Sequence, residues 1–479
     1  MAKRKDTGKK DDIGKYISSP RGDIYTVSGL PEEVVAVIFA YVSRSPASFK
    51  KNIAKVLEEE GHGRERAEKF HEKWVLNYGH ASVAEHATVH IGIERVSRLF
   101  SAILETGAEH LSFTEYSQRY QRPRREDFVI PPELEKKAAL KKRFLSVCGK
   151  QYDIYEKLNE KLFEYLKGHN REGLSEGALE KIAFEDARYA LNLSSMTNLG
   201  LTANARAVEE SLMKLLSSPY GEARRRAEEI KKEVRFSVPT LVKYATENDY
   251  IKSLEGRSLP VSVKVIPTRN APHVKLLDWT GKGAKNSETV ALHKTVSALL
   301  YKNSRGISSA LKLPRKTLEK EFARAVKNLG KHDNPHPALR QVSYTAEFTI
   351  SEACWHQLLR HRKADWFAKE PDVCYGITVP PNVKKAGMED VLMESVKLSE
   401  KLFRDLAREN RQAARYAVTN AHNRKVVGSF TLWELYHLIN LRMSEGAQWD
   451  IREMTEKLAN LVKDKHPVLV EPALKRVGA

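Results

Sequence analysis

Internal repetition constrains this chain more than any other feature. Ala187-Arg188-Tyr189-Ala190 recurs letter for letter as Ala414-Arg415-Tyr416-Ala417, and Pro131-Pro132 is echoed by Pro380-Pro381. The alternating stretch Thr88 to Glu94 predicts a strand running into a helix at Ser97, and Val342 to Ile350 predicts the same before a helix at Ser351. A four-residue match alone carries little weight. Strand, helix, double proline and tetrad in the same order twice mean that a domain has been duplicated, not a short solenoid unit. With 479 residues, more than one hydrophobic core is usual, and two domains of roughly 200 to 250 residues follow. The expected fold is α/β (α+β): two homologous domains, 19–250 and 258–479, each a small mainly antiparallel sheet flanked by long helices, after a disordered basic tail over 1–18.

Composition then removes several classes of function. No apolar run approaches the roughly 20 residues of a membrane helix, and the lysine-rich start lacks the apolar core of a secretory signal, so a cytoplasmic location is the expectation. Three cysteines, Cys148, Cys354 and Cys374, show neither paired nor metal-ligand spacing, so neither a disulfide nor a metal site is expected. A net charge of +19 attracts anions, among which nucleotides, phosphorylated cofactors and nucleic acid remain open. The basic residues are dispersed over amphipathic helices such as Arg224 to Lys232, which disfavours a nucleic-acid groove without excluding one.

Three segments concentrate the chemistry. Trp355 to Leu359 reads as an apolar helical run carrying Arg360-His361-Arg362 at its end. Consecutive helical positions diverge by about 100°, so at least one of these side chains must reach inward or across an interface. Ser112 to Tyr120 has the pattern Ser-x-x-Glu-x-Ser-x-Arg-Tyr and is too polar for a core strand. His80-Ala81-Ser82-Val83-Ala84-Glu85-His86 is a polar turn. The pattern beyond Pro131-Pro132 reads as helical to about Lys167, and again through the first tetrad past Asn204-Ala205-Arg206 to about Lys243.

Together these segments resemble the flavin-dependent thymidylate synthases, in which one short chain carries all of them. Here the motif is divided. The first half keeps Ser112 to Tyr120 but has Thr106-Gly107-Ala108 near the place of the basic tripeptide. The second half keeps Arg360-His361-Arg362 but follows it with Asp365 to Glu370. An Asn-x-Arg element survives as Asn204 and Arg206 but becomes Thr431 and Trp433. A late Leu-Arg survives as Leu441-Arg442 against Leu215, and the helix arginine is present twice, as Arg188 and Arg415.

The resemblance implies sites shared between subunits, so that pairing unlike halves would assemble one complete site. It implies substrate contacts from Gln357, Arg360 and Arg442 of the second half and from Glu115, Ser117, Gln118, Arg119 and Arg188 of the first. Arg442 would be the catalytic group. Flavin contacts would come from His80, Ser82, Glu115, Asn204, Arg206, Arg360, His361, Arg362 and His437. Ser117 has no base at turn or helical spacing, which favours a hydrogen-bonding role over a nucleophilic one. The implied reaction is conversion of dUMP to dTMP with FAD, methylenetetrahydrofolate and NADPH, in a homodimer acting as a pseudo-tetramer. Two alternatives stay open: modification of uracil in RNA or another uridine nucleotide, and a non-catalytic nucleotide-binding paralogue.

Overall fold

The computed structural model describes residues 13–42, 45–60, 81–170, 173–254, 273–301 and 313–478. Each sheet of the duplicated fold is present. One is three-stranded, with β1 (Thr88–Ser97), β2 (Ser112–Glu115) and β3 (Met196–Asn204) in the order β1-β3-β2, β2 and β3 running antiparallel. The other is four-stranded and antiparallel, with β4 (His273–Trp279), β5 (Ser343–Ser351), β6 (Asp365–Ala368) and β7 (Asn423–Thr431) in the order β4-β5-β7-β6. Among the described residues no helix is long and apolar enough to cross a membrane.

The repeat is legible bond by bond. β1 and β5 each end in a serine that caps the next helix: Ser97 Oγ accepts from Phe100 N at 2.9 Å, and Ser351 Oγ from Cys354 N at 2.9 Å. β3 and β7 each end in a polar cap as well, Asn204 accepting from Ala207 N at 2.8 Å and Thr431 from Glu434 N at 3.3 Å. An offset of 227 residues carries Arg188 onto Arg415 and β3 onto β7, and the same offset carries Asn204 onto Thr431 and Leu215 onto Arg442.

The chain divides into two compact units that do not follow the halves of the sequence. The first holds the described residues within 1–96, 103–116 and 197–261; the second holds those within 97–102, 117–196 and 262–479. In the first unit Val37, Ile38, Ile53 and Val56 form a small core. It also includes Ile17, which the sequence places in the tail; Ile17 is buried and bridges Val27. In the second unit the core lies between the four-stranded sheet and the helices Leu432–Arg442 and Trp449–Lys463, around Phe348, Trp355, Leu435 and Met454.

Within this second unit the two tetrads meet. Their trailing segments pair antiparallel, Leu193 N donating to Val418 O at 2.9 Å and Asn420 N to Leu191 O at 2.8 Å, with Asn192 bridged to Thr419. Asn192 and Thr419 are themselves 227 residues apart, so a local pseudo-twofold passes between them. The same symmetry repeats one step out: Arg98 N donates to Ser195 O and Glu352 N to His422 O, Leu99 N to Leu193 O and Ala353 N to Asn420 O.

Three elements differ from the sequence reading. β3 and β7 fall where the first half reads as helical and where no strand is predicted in the second; their small and polar residues follow a period of two only once the sheet register is known. Ser112–Glu115, by contrast, lies at the edge of its sheet, in keeping with a segment too polar for a core strand. The helix before the basic tripeptide stops at Leu358, so Arg360-His361-Arg362 lies in the turn beyond it.

That turn is held by the sheet. Trp366 on β6 lies opposite Gly428 on β7, and its Nε1 donates to the His361 carbonyl at 3.0 Å. A Cβ on Gly428 would come within 2.2 Å of the indole. Gly428→Ala should therefore destabilise the protein by about 1 to 3 kcal/mol through overpacking, read as a lower denaturation midpoint with altered Trp366 fluorescence. His422, beside the pseudo-twofold, accepts from Thr419 N at 3.1 Å, and burial lowers its pKa from 6.5 to about 4. Below the ordinary value the unfolded chain takes up a proton that the native ring refuses, so stability is lost as pH falls from 6.5 toward about 4. His422→Asn, which keeps an acceptor but does not titrate, should flatten that limb in pH-dependent unfolding.

Candidate functional site

The second unit gathers arginines from both halves of the sequence. Arg98, Arg119 and Arg188 come from the first half; Arg360, Arg424 and Arg442 come from the second. They lie close enough to act on one another: besides burial, Arg360 and Arg119 disfavour charge on Arg442, Arg98 and Arg119 disfavour it on Arg188, and four of the six disfavour it on His356. Two are balanced by acids, Arg119 by Glu185 and Arg424 by Glu352, the latter at 2.8 Å.

Arg188 is the extreme case. It is 4% exposed, its pKa is lowered by burial, and its Nε and Nη2 have no hydrogen-bond acceptor. Its repeat mate differs sharply. Arg415 donates to the Pro371 carbonyl at 2.7 Å and pairs with Asp372 at 2.6 Å, so that copy is satisfied internally.

Neutral polar groups converge on the same place. Asn420 Nδ2 donates to Gln118 Oε1 at 3.3 Å and to the Arg188 carbonyl at 2.9 Å, leaving Gln118 Nε2 buried without an acceptor. Gln357 Nε2 donates to Gln448 at 2.6 Å while its Oε1 has no donor. Gln448 in turn donates to the Tyr189 hydroxyl at 2.9 Å, and that hydroxyl donates to Asp450 at 2.6 Å. Ser351, the helix cap, also donates to Asp450. This chain ties Gln357 of one half to the tetrad of the other. Unpaired amide donors and acceptors beside unpaired guanidinium atoms suit a ligand that is anionic and offers both donor and acceptor edges.

Arg442 is half-buried and fixed at two points, Nε donating to His361 Nε2 at 2.9 Å and Nη2 to the Gln357 carbonyl at 2.9 Å. Burial and Arg360 lower its pKa to about 10, so it remains cationic at neutral pH. His361 is the inward-pointing member of the tripeptide. Both its ring nitrogens are engaged within the protein, Nδ1 lying 3.0 Å from Glu434, so it braces Arg442 where the sequence predicts a cofactor contact. Arg360 is partly buried, its Nε donating to the His356 carbonyl at 3.1 Å, while Arg362 and His437 are exposed.

Ser117 Oγ accepts from Arg119 N at 3.2 Å, and no base lies against it among the hydrogen bonds of the described residues. Arg119 donates through Nη2 to the Gly446 carbonyl at 3.2 Å, a link from the first half to the loop after Arg442. In the first unit Glu115 is buried at the end of β2, Asn204 caps the helix Ala205–Leu216, and exposed Arg206 pairs with Glu85 three residues after exposed Ser82. His80 lies outside the described residues. Trp433, the repeat mate of Arg206, is buried in the core with Lys363 Nζ 3.9 Å above its ring.

His361, Glu434 and His437 also bring three metal-type ligands together. Arg442 argues against a metal there. A guanidinium only donates, so His361 Nε2 must be bare and Nδ1, the atom facing Glu434, must carry the proton. The sequence reading missed Glu185, Tyr189, Glu434, Gln448 and Asp450. Only Glu434, three residues after a capping threonine, carries a local signal, and that signal suggests a helix cap.

An α/β protein of two repeats, with arginines of both gathered in its second unit, is thus the class that fold and geometry define. A family model described as thymidylate synthase complementing protein matches residues 27–240 and again 279–468. The chain belongs to this family, with both repeats members. Among curated relatives, a UPF0159 protein of Thermoplasma acidophilum is 25% identical over 90% of this chain and 93% of its own length. A UPF0159 protein of Chlamydia pneumoniae is 22% identical over 86% and 84%. A flavin-dependent thymidylate synthase of Clostridium tetani is 31% identical over 45% of this chain and 82% of its own length.

A buried arginine whose Nε and Nη2 lack hydrogen-bond acceptors is a stability cost. Arg188→Met should raise the unfolding free energy of the unliganded protein by about 1 kcal/mol or more, measured by denaturant titration.

Proposed function

We propose that the chain is an FAD-dependent thymidylate synthase that converts dUMP to dTMP, taking its carbon from methylenetetrahydrofolate and its reducing equivalents from NADPH. The observation that carries this reading is the convergence of Arg188, Gln118 and Arg119 from the first repeat with Gln357, Arg360 and Arg442 from the second, with buried donors and acceptors left open. The second repeat's own arginine, Arg415, is closed off by Asp372, which supports one kind of working site per chain.

The roles follow from the chemistry of the groups. Planar, permanently charged guanidinium groups bind a nucleotide monophosphate with directed donors, and Arg119, Arg188 and Arg360 are assigned to the phosphate and sugar side. The amides of Gln118 and Gln357 suit the alternating donors and acceptors of a uracil edge. Arg442 is the catalytic group: held against the pyrimidine it stabilises negative charge on N3 or O4 as electron density builds at C5. Ser117 serves as a hydrogen-bond ligand. Glu115 supports the same segment.

The residues present fit a flavin dinucleotide. Exposed Arg206, paired with Glu85, and exposed Ser82 lie in the first unit and are assigned to the flavin dinucleotide as directed donors; exposed Arg362 and His437 are the corresponding assignment within the second unit, taken by itself. When bound, the flavin would supply hydride chemistry at the transferred carbon. The proposed assembly is a homodimer acting as a pseudo-tetramer.

Tritium release from C5-labelled dUMP, with purified protein, reduced flavin and methylenetetrahydrofolate, tests the reading. Arg442→Ala should lower turnover by about a hundredfold or more, the scale of a lost charge-stabilising donor, while Arg415→Ala should leave it nearly intact. No release of tritium by the unmodified protein, or equal losses in the two variants, would overturn it. Release only from uracil within RNA would point to a polynucleotide substrate.

A further inference from the structure

The groups least explained by substrate or flavin contacts are those behind Arg442. Glu434 is 3% exposed and His361 is 2% exposed, yet both are polar, and they lie within hydrogen-bond distance of each other. The Arg442 guanidinium donates to His361 Nε2, so the imidazole is neutral with its proton on Nδ1, and Nδ1 donates to Glu434 Oε1 at 3.0 Å. Burial independently keeps His361 in its neutral form. Glutamate, imidazole and guanidinium therefore form one directed series, in an interior where such bonds reinforce each other.

The geometry at the arginine gives this series a purpose. Nε and Nη2 share one edge of the guanidinium plane, and both are spent on protein acceptors, His361 Nε2 and the Gln357 carbonyl. The edge is clamped, and the Nη1 end is left for a ligand. Glu434 is not serving as the return half of a capping box, since its Oε1 faces His361 and not the strand end behind it.

We propose that Glu434 is a positioning residue that, by holding His361 as its Nδ1–H tautomer, fixes the orientation of the Arg442 guanidinium toward the uracil nucleotide. The orienting role rests on the proposed synthase reading, while the hydrogen-bonded series does not. Glu434 touches neither substrate nor cofactor in this assignment. It acts through two bonds.

The test compares Glu434→Gln with Glu434→Leu in the full chain. Glutamine keeps an oxygen that accepts from Nδ1–H, so it should retain kcat within about threefold, whereas leucine should lower kcat by about a hundredfold with little change in the KM for dUMP, as expected when a reacting group is misplaced and not removed. Nitrogen NMR of the imidazoles should show His361 as a neutral Nδ1–H tautomer in the unmodified protein and in Glu434→Gln, and as a mixture in Glu434→Leu. The spectrum of the unmodified protein decides the matter even if the leucine variant does not fold. A protonated or Nε2–H ring at His361 would overturn the proposal, as would equal kcat for the two variants in an active enzyme. If the tautomer is as stated but the unmodified protein releases no tritium from dUMP, the series stands and the functional reading falls.

Discussion

Antiparallel pairing around Asn192 and Thr419 is the contact from which the rest of the site follows. It is made of backbone hydrogen bonds between the segments trailing two copies of one tetrad, and it sits on the local pseudo-twofold. Within the second unit these segments follow Arg188 and Arg415, and the later one leads into β7 and the capped helix that ends in Arg442, so fixing them fixes where these polar residues are presented. The strand-to-helix junctions at Ser97 and Ser351 dock against the same segments. Buried backbone groups must be paired, so this register has little freedom.

A symmetric frame carrying asymmetric side chains is what separates the two repeats. Arg188 and Arg415 are placed by equivalent backbone, yet one is buried with open donors and the other is matched to Asp372. Asn204 and Thr431 both cap helices, yet the next-but-one residue is an exposed arginine in one repeat and a buried tryptophan in the other. At the last turn of those helices the inequality reverses, Leu215 being buried where its mate is Arg442. Each repeat has turned one set of positions into ordinary core and kept the other polar. The retained arginines repel one another, a cost the fold carries in the unliganded state.

How much of this could be read beforehand depends on the range of the interaction. The duplication, the capped strand-helix junctions at Ser97 and Ser351, and the long helix after Pro131-Pro132 are local patterns, and they were legible. The basic tripeptide and the Ser112 to Tyr120 segment were recognisable by residue type and spacing. β3 and β7 were not, because Met196–Asn204 and Asn423–Thr431 mix small, polar and apolar residues whose alternation makes sense only against a neighbouring strand. That some member of the tripeptide reaches inward or across an interface was foreseeable, but not that it is His361 or that it meets Arg442, 81 residues away. Tyr189, Gln448 and Asp450 belong to a network closed by tertiary contact, and no spacing in the chain announces it.

Covalent fusion gives the pairing of tetrad tails a further meaning. Two separate copies would be free to associate like with like, and like pairs would place two unpaired arginines, or two arginines already matched to acids, around one cleft. Joined in a single polypeptide, the unlike partner is always present at high effective concentration, so the mixed combination wins without any special selectivity in its contacts. Linkage thereby relieves each repeat of the need to be self-sufficient, and lets specialisation that would be lethal in a free subunit accumulate as a division of labour.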